Sequence, residues 1–492
     1  MNKTKQCIGK IVSSFFLLST GLLLIAGCAS TRSLDLRSHS YPEAIDGLSE
    51  HMEIKRSPSS REILRTLEKD GQIHLVLNDC LKMASQQNYD IRLVQESLVQ
   101  ADANIAQVRS AMLPFFGAEA SSTRLDEALS FAMGPQSLTF MDRDLYKAGV
   151  VVRQPIFMGG RLHAAQKAAR YSREAQVKEK RIVEEEIIFQ VTRAYRTAQL
   201  AEAFQDVAVE AVKLLETHEH DVAILVEKGA NPEIDLLYTR TELANALKDM
   251  NSANNTVDLA HSALKNLLSI SLEESLLLTE PLGRPPRPQE VLSSLTSVAL
   301  SQRPELFAID SKIAATEQLL KAAKGEYMPS IVLEGRYEYM EGDFRDLEGG
   351  NHWTVGVGTQ LPLWNWGKTS AKVRETKSQL AQTKILRDKI TDRICLEVRR
   401  AFLDIGKAEK NIEAAESALK TASEAYRQTR ARYRAGEGTN TDVLDVRTAL
   451  SRTEANYTQA LYDYNVALAA LDRSVGVMEV KQSDINKKES DK

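Results

Sequence analysis

The sequence predicts a mainly α-helical fold with a small β part, built from one duplicated unit. Two intervals of 74 residues, Pro155 to Gly229 and Pro362 to Gly436, contain no internal proline. Each interval begins with a Pro-hydrophobic-aromatic-x-x-Gly phrase and ends at a glycine-rich turn that precedes an Asp-hydrophobic-Leu phrase. From Ile390 to Tyr426, apolar or small residues recur every three or four positions, which is the period of an α-helix. A repeat of this length with so few helix breakers predicts two copies of a unit whose core is one very long helix.

The first residues are predicted to be a processing signal. A basic segment precedes an apolar stretch that ends at Leu24-Ile25-Ala26-Gly27-Cys28. Small residues directly before a cysteine resemble the lipobox of bacterial lipoproteins, which implies that residues 1–27 are a lipoprotein signal peptide and that Cys28 carries lipid. Ala29 follows rather than an aspartate, which in that resemblance implies sorting to the outer membrane. Residues 28–70 would then be a lipid-anchored N-terminal extension; an ordinary secretion signal that happens to contain Cys28 is the alternative.

Residues 71–280 are predicted to form the first structural repeat. Its β part is a hairpin at about 115–156, in which four apolar residues from Tyr146 to Val152 alternate with Lys147, Gly149 and Arg153. A period of two predicts strands with one apolar face. Helices are predicted at about 75–112, 160–228 and 233–270, and the second of these would be roughly 105 Å long at ~1.5 Å per residue.

A proline-rich segment, residues 281–303, is predicted to link this repeat to a second one at 304–476, with a short helix after the prolines. The second hairpin is predicted at about 330–363, and apolar and polar residues again alternate within it. The first hairpin is eight residues longer than the second. Helices are predicted at about 304–327, 367–434 and 440–475, and residues 477–492 are predicted to be a disordered polar tail.

Two interpretations of the hairpins are open. Stretches of about ten residues with alternating apolar and polar side chains, and with aromatic residues near their ends, are typical of transmembrane β-barrel strands. A solvent-facing hairpin on a soluble domain has the same period. Four strands are too few to close a barrel, and an open edge in lipid leaves backbone groups unpaired. The membrane interpretation therefore requires oligomerisation, with eight strands from two copies or twelve from three.

The composition excludes two broad classes of protein. With 43% hydrophobic and 26% charged residues, the chain is typical of a folded protein rather than a disordered one. Its 63 basic and 67 acidic residues argue against a general nucleic-acid-binding protein. Beyond the lipobox only Cys80 and Cys395 remain, and they are interpreted as small core residues, with a disulfide as the alternative.

Four sets of phrases recur in order along the chain. They are the Pro-hydrophobic-aromatic-x-x-Gly phrase after each hairpin, Arg303-Pro-Glu-Leu306, the prolines that open the hairpins at Pro114 and Pro329, and the Gly-x-x-x-x-x-Asp-hydrophobic-Leu-Asp phrase from Gly436 to Asp445. These phrases resemble the TolC family of outer-membrane efflux channels, and the resemblance covers about residues 70–476. The family implies a homotrimer in which twelve strands form one transmembrane β-barrel and twelve helices form a long α-helical periplasmic barrel. Each protomer would contribute four strands, and trimerisation would close the barrel.

The resemblance also implies a periplasmic gate where each long helix turns back. Asp442 and Asp445 lie three residues apart at a predicted helix start, so they share one face. Carboxylates there suit a helix N-terminus, and in a trimer they would also place six carboxylates around the tunnel mouth and attract cations. Asp235 takes the place of Asp442 in the first repeat, whereas Tyr238 takes that of Asp445. Tyr433 stands where closed family members use a tyrosine to bond the first-repeat aspartate.

The implied function is a passive conduit, the outer-membrane channel component of a tripartite efflux or secretion system. An inner-membrane pump would supply the energy, and a periplasmic adaptor protein would dock at the turns of Gly229, Asn231, Gly436 and Gly438. The protein would sit in outer-membrane lipid and extend into the periplasm. The alternative is a lipid-anchored periplasmic coiled-coil scaffold without channel activity.

No enzyme is predicted, because the sequence contains no catalytic constellation and no cofactor-binding or metal-binding pattern. His218 and His220 are two residues apart, so on a helix they point to different faces, unlike a metal-binding pair at i and i+4. The segment from His218 to Asp221 is interpreted as a solvated helix face.

Overall fold

The computed structural model describes residues 68–69, 72–133, 136–287, 289–343 and 349–478. All of them belong to one compact unit of the chain. The predicted signal peptide, Cys28, most of the predicted N-terminal extension and the polar tail from residue 479 onward lie outside the described residues.

The helices follow the duplication. Two of them contain 67 residues each, which corresponds to about 100 Å of helix at ~1.5 Å per residue. Among the residues that the structure describes, no helix is both long enough and apolar enough to cross a membrane. In chain order the helices are α1 (Leu77–Gln87), α2 (Tyr89–Ser110), α3 (Arg161–Glu227), α4 (Glu233–Leu267), α5 (Leu292–Gln302), α6 (Pro304–Lys324), α7 (Lys368–Arg434) and α8 (Asn440–Val475).

The long helices form because each buries one narrow stripe along its length. In α7 the stripe from Ile390 to Tyr426 lies against α8 and the neighbouring short helices. Burying each isoleucine or valine of this stripe stabilises the fold by about 1.5–3 kcal/mol. The core members from α7 are Ile394, Val398, Ala401, Ile405, Ala408 and Ile412.

The strands are β1 (Glu68–Lys69), β2 (Gln72–Leu75), β3 (Phe115–Arg124), β4 (Leu129–Met133), β5 (Gln136–Met158), β6 (Leu276–Leu278), β7 (Ser330–Asp343) and β8 (Gly350–Gln360). Four of them form one antiparallel sheet in the order β3–β5–β7–β8, and a fifth, β4, also pairs with β5. The two predicted hairpins are therefore joined side by side through β5 and β7. The predicted mainly α-helical fold with a small β part is confirmed.

The register of this sheet gives it one apolar face. Val150 lies opposite Ala118 on one side and Tyr337 on the other, and Tyr337 lies opposite Trp353. Cross-strand partners share a face, so these residues form one apolar row. Val150, Tyr337 and Trp353 are all exposed in the protomer.

The opposite face of the sheet is charged. Arg153 Nε lies 2.9 Å from Glu334 Oε2, and Arg336 Nη1 lies 3.3 Å from Glu119 Oε2. Each of these charged residues is next in sequence to residues of the apolar face, because the side chains of a strand point alternately to its two faces. The sheet therefore separates an apolar surface from a charged one.

A second, smaller sheet was not predicted. β2 pairs with β1 and, in parallel, with β6, so that Ile73 lies opposite Leu276. Beneath it Tyr195 of α3 is buried and donates a hydrogen bond to the Leu75 carbonyl at 3.3 Å. Cys80 belongs to this core and Cys395 is half-buried, and both are free thiols. Burial raises the pKa of the Cys80 thiol, which remains protonated.

Candidate functional site

The two long helices turn back through loops of the same geometry. Gly229 and Gly436 have φ angles of +72° and +79°, a left-handed conformation that costs other L-residues about 1–2 kcal/mol. The Gly229 N–H donates to the Val226 carbonyl at 2.9 Å, and the Gly436 N–H donates to the Tyr433 carbonyl at 3.0 Å. These bonds satisfy carbonyl groups that a helix end otherwise leaves unpaired. Each glycine thus ends one long helix and starts the turn.

The second turn uses Asp442 to begin α8. Thr439 Oγ1 accepts a hydrogen bond from the Asp442 N–H at 3.2 Å, and Asp442 Oδ2 accepts one from the Thr439 N–H at 3.0 Å. This reciprocal pair is a capping box. The hydrogen bond that the Thr439 N–H donates to the carboxylate lowers the pKa of Asp442. Asp445 is exposed, and its carboxylate makes no hydrogen bond or ion pair with any residue that the structure describes.

The first turn differs because Pro232 stands where the second has Thr439. Proline has neither a hydroxyl nor an N–H, so a reciprocal cap cannot form. Asp235 Oδ2 instead accepts a hydrogen bond from Asn231 Nδ2 at 3.1 Å, and the same Nδ2 donates to Tyr433 Oη at 2.9 Å. Asp235 and Tyr433 are therefore joined through Asn231. Burial and the nearby Asp235 carboxylate raise the pKa of Tyr433, so its hydroxyl stays protonated.

A buried polar network joins α3 and α4 to the start of α8. His218 is 1% exposed, and its Nε2 lies 2.8 Å from Asn440 Oδ1. Asn440 Nδ2 donates to the Asp235 carbonyl at 3.0 Å, and Thr239 Oγ1 donates to Asn440 Oδ1 at 3.3 Å. Because Asn440 Oδ1 can only accept, the proton of the His218 ring lies on Nε2.

The other nitrogen of His218, Nδ1, is buried and makes no hydrogen bond with any residue that the structure describes. Burial lowers the pKa of His218, and the hydrogen bond to Asn440 offsets only part of this effect. The imidazole is therefore held in its neutral form at pH 7.

An ion pair joins α3 to α7 three residues after His218. Asp221 Oδ2 accepts hydrogen bonds from Arg434 Nη2 at 2.7 Å and Arg434 Nε at 3.1 Å, and from Arg430 Nη2 at 3.4 Å. Burial opposes ionisation of Asp221, but the hydrogen bond from Arg434 and the two positive charges outweigh it, so the pKa of Asp221 is lowered.

Apolar packing surrounds these contacts. The Tyr433 ring meets the His218 ring edge-on, with centroids 5.2 Å apart. Tyr433 belongs to a cluster of buried residues from α3, α7 and α8, and the partly buried Leu236 of α4 packs against this cluster. We call the three polar contacts, Asp221 with Arg430 and Arg434, His218 with Asn440, and Tyr433 with Asn231, the inter-hairpin clasp. The clasp joins the helical hairpin α3–α4 to the hairpin α7–α8 just before both turns.

The four predicted gate residues have different surroundings in the structure. Asp235 and Tyr433 lie at the clasp, Asp442 caps α8, and Asp445 is exposed. Within the described part of the chain, no group of three or more His, Cys, Asp and Glu residues could hold a metal ion.

The interpretation of His218 as part of a solvated helix face was wrong. Its side chain is fully buried between two helical hairpins, and within the segment from His218 to Asp221 only His220 is exposed. The spacing Leu215, His218, Val222 and Leu225 follows an apolar stripe of α3, and this signal places His218 on the buried face.

A family model described as outer membrane efflux protein matches residues 80–269 and 295–477. The chain belongs to the outer membrane efflux protein family. One matched stretch lies in each half of the chain. The resemblance to the TolC family is thereby confirmed.

Known proteins agree with this assignment. The outer membrane efflux protein BepC of Brucella suis biovar 1 (strain 1330) is 21% identical over 82% of this chain and 86% of its own length. The probable outer membrane lipoprotein SilC of Salmonella typhimurium is 22% identical over 53% of this chain and 60% of its own. The Campylobacter jejuni outer membrane channel CmeC superposes with a TM-score of 0.69 at 18% identity, covering 94% of this chain and 98% of CmeC.

Membership of the family fixes the general function. The chain is an outer-membrane efflux channel component that extends into the periplasm, and it is not an enzyme. Family members act in tripartite systems with an adaptor and an inner-membrane pump, and they form trimers. The alternative interpretation, a lipid-anchored periplasmic coiled-coil scaffold without channel activity, is not favoured.

Proposed function

We propose that three copies of this chain form one passive conduit that the inter-hairpin clasp holds closed at its periplasmic end. The observation that carries the proposal is the continuity of a two-faced sheet with two helices of 67 residues. The apolar face suits lipid and the charged face suits a water-filled lumen. Four strands per copy give twelve strands in a trimer, which is enough to close a transmembrane barrel.

The clasp supports a closed resting state. It bonds the hairpin α3–α4 to the hairpin α7–α8 at the end that lies farthest from the sheet, so the two hairpins cannot separate there while the clasp is intact. In this proposal the turns move apart when an adaptor docks at the exposed loops of Gly229, Asn231, Gly436 and Gly438. An inner-membrane pump then delivers the cargo to the opened mouth.

Asp445 is the residue that we assign to the tunnel mouth. Its carboxylate is exposed and unpaired among the described residues, whereas Asp442 already serves the cap of α8. Three copies of Asp445 near the axis would repel one another and attract a divalent cation. Asp442 adds to the negative potential but is bound to its own helix.

Asp445→Ala is expected to weaken block of the channel by divalent cations. The purified protein is inserted in a planar lipid bilayer, and its single-channel conductance is titrated with Mg²⁺ on the periplasmic side. Removing the unpaired carboxylate is expected to raise the blocking concentration about tenfold, which corresponds to ~1.4 kcal/mol of binding. Asp442→Ala is expected to act mainly through the lost cap, at about 1 kcal/mol of helix stability.

Asp463→Ala is the matched control for this experiment. Asp463 lies on α8, 18 residues after Asp445, which is five helical turns along the same face. An equal effect of both variants would locate the cation along the bore and contradict a site at the mouth. Absence of any conductance from the wild-type protein would refute the conduit itself.

A lipid on Cys28 is the anchor that we propose for the N-terminus. The lipobox-like phrase before Cys28 supports it, and so does the name of the relative SilC as a lipoprotein. Mass spectrometry of the mature N-terminal peptide is expected to find a modified Cys28 as residue one. In Cys28→Ser the modification and the cleavage that depends on it are expected to be lost. An unmodified N-terminus that begins at another residue would rule out the anchor.

A further inference from the structure

Charged side chains are concentrated on four successive rows of the charged face of the sheet. Within a row, residues of neighbouring strands lie directly opposite one another, as Gly117, Val151 and Arg336 do. Besides His352, these rows contain three carboxylates and three cationic groups. They are Glu119 of β3, Lys147 and Arg153 of β5, and Glu334, Arg336 and Glu338 of β7.

Two arginines link the three carboxylates across three strands. Arg153 Nε donates to Glu334 Oε2 at 2.9 Å, and Arg153 Nη2 donates to Glu119 Oε1 at 3.3 Å. Arg336 Nη2 donates to Glu334 Oε1 at 3.2 Å, and its Nη1 donates to Glu119 Oε2 at 3.3 Å. The same Nη1 lies 3.6 Å from Glu338 Oε2. We call these five residues the charge lattice.

The middle strand, β5, leaves room for the charge lattice. Val151 lies on the charged face opposite Arg336, yet only 1% of it is exposed. Gly149 is two residues away on the same face, and a Cβ there would lie 2.5 Å from the Tyr337 carbonyl oxygen. Because position 149 has no side chain, Arg336 can reach across β5 to Glu119. The paired side chains therefore lie along the sheet and cover Val151.

Lys147 completes the balance of charge on these rows. It lies opposite Ser121, two residues from Gly149, and it is exposed. Its ammonium group makes no hydrogen bond or ion pair with any residue that the structure describes. The charge lattice has one carboxylate more than it has guanidinium groups, and Lys147 supplies the missing positive charge. With His352 neutral, the four rows have no net charge.

Pairing weakens the electric potential that these groups produce in front of the sheet. Two opposite charges about 3 Å apart largely cancel at a distance, whereas the potential of a single charge falls only as the inverse of distance. At physiological ionic strength, salt screens what remains beyond ~8 Å. An ion that passes this wall therefore meets no dominant sign of charge. The mouth is different, since the Asp445 carboxylate is unpaired among the described residues.

We propose that Arg153 and Arg336 determine the ion selectivity of the barrel lumen. By neutralising the carboxylates of the wall, they let anionic and cationic cargo pass the outer membrane alike, so that discrimination by charge is left to the mouth. The inference rests on the proposed trimeric channel, in which the charged face lines the lumen. It extends that function to a class of cargo, organic ions of either sign.

Without the two guanidinium groups, the wall would be acidic. Each copy would keep three carboxylates but only one ammonium group on these rows, and a trimer would repeat this excess around the lumen. A passage lined by one sign of charge concentrates counterions and repels ions of the same sign. A lattice that served only to hold the strands together would have no such effect on permeating ions.

Reversal potentials test this role. The full chain is inserted in planar lipid bilayers, and its reversal potential in a KCl gradient gives the permeability ratio of K⁺ to Cl⁻. All comparisons are made in the Asp445→Ala background, which removes the unpaired carboxylate of the mouth. In that background, Arg153→Gln with Arg336→Gln is expected to raise the ratio by about a factor of two or more. The increase is expected to fade with salt, because the Debye length falls from ~30 Å at ~0.01 M to ~3 Å at ~1 M.

Arg153→Lys with Arg336→Lys is the matched control. Lysine keeps the positive charge but lacks the planar fork with which a guanidinium group bridges two carboxylates. This control is expected to keep the permeability ratio of the Asp445→Ala channel. A ratio that rises equally in the lysine and glutamine variants would show that the shape of the wall matters and not its charge, and would overturn the inference.

Glu119→Gln with Glu338→Gln is the reciprocal test. It leaves Glu334 as the acidic partner of both arginines and gives the wall an excess of positive charge. The permeability ratio of K⁺ to Cl⁻ is expected to fall, in the direction opposite to that of the arginine variant. General damage to the strands does not predict opposite shifts. This variant also decides the question if the arginine variant fails to insert.

Different failures have different meanings. A channel that conducts, but whose permeability ratio is the same with and without the glutamine substitutions of the charge lattice, would refute the role of the two arginines and leave the conduit intact. Absence of conductance from the wild-type protein would refute the conduit on which the inference rests.

Discussion

Asp221→Ala is expected to open the periplasmic turns and to raise the mean conductance of the channel in a lipid bilayer. Asp221 is the acidic partner of both Arg430 and Arg434, with its shortest contact at 2.7 Å. Without it, the two guanidinium groups are left beside each other on α7 with no acidic partner on α3. Loss of a partly buried, charge-assisted pair costs about 1–3 kcal/mol, and every ~1.4 kcal/mol shifts the ratio of open to closed channels tenfold.

Glu424→Ala provides the matched control. Glu424 accepts hydrogen bonds from Arg427 at 2.6 and 2.8 Å, but both residues are exposed and belong to the same helix, α7. Removing that pair changes the surface charge of α7 by the same amount without disconnecting two helices. It is expected to leave the conductance unchanged, as exposed pairs within one helix contribute only a few tenths of a kcal/mol. Equal conductance of wild type and Asp221→Ala would show that the ion pair does not restrain the turns.

The architecture could be predicted from the sequence where the information is local. The period of the α7 stripe and the absence of proline between Pro362 and Gly436 determine a long helix without knowledge of its partners. The pairing of the two hairpins is different, because Val150 and Tyr337 are far apart in the chain. The sheet of β1, β2 and β6 escaped prediction for a further reason: its strands contain two to four residues, too few for an alternation to be recognised.

The same distinction applies to the candidate site. The cap formed by Asp442 could be expected from its place at a helix start, three residues after Thr439. The bridge through Asn231 could not, because it joins residues 202 positions apart, Asn231 and Tyr433. It also depends on Pro232, whose missing N–H leaves Asp235 without a capping role. The duplicated aspartates therefore have unequal functions, and one substitution in the turn, Thr439 against Pro232, accounts for the difference.

The prediction of a solvated face at His218 was wrong because its side chain belongs to the buried apolar stripe of α3. Glu219 and His220 suggest a solvated face, but a helix turns by about 100° per residue, so His218 lies on a different face from these two neighbours. The buried imidazole makes the closure of the turns depend on pH, which neither hydrophobic packing nor the acidic turn does.

Acidification is expected to loosen the clasp through His218. Burial lowers the pKa of His218 below its ordinary value of 6.5. A lowered pKa means that the separated hairpins bind a proton more readily than the packed ones, so the stability of the packed state rises with pH. The contribution of His218 is complete above pH ~6.5 and is lost as the pH falls below that value. Conductance is therefore expected to increase from pH 7.5 to pH 5.

The structural reason is the second ring nitrogen. Because Nε2 already carries the proton that it donates to Asn440, a second proton binds at Nδ1. There it meets no hydrogen-bond acceptor among the described residues. The charged groups that face the ring are Arg430 and Arg434, which oppose a further positive charge, and Asp221, which is bound to both arginines. Tyr433 presents only its ring edge. A protonated His218 is thus buried without compensation, which favours separation of the hairpins.

His218→Gln separates this effect from the titration of carboxylates. Glutamine can donate an N–H to Asn440 from about the position of Nε2, but it has no titrating group in this range. The variant is expected to conduct like the wild type at pH 7.5 and to lose the increase at pH 5. His220→Gln, two residues away and exposed, is expected to keep it. If the rise in conductance on acidification persists in His218→Gln, the protons act on the acidic turns and not on the buried imidazole, because the only group removed is the one that lies between the two hairpins.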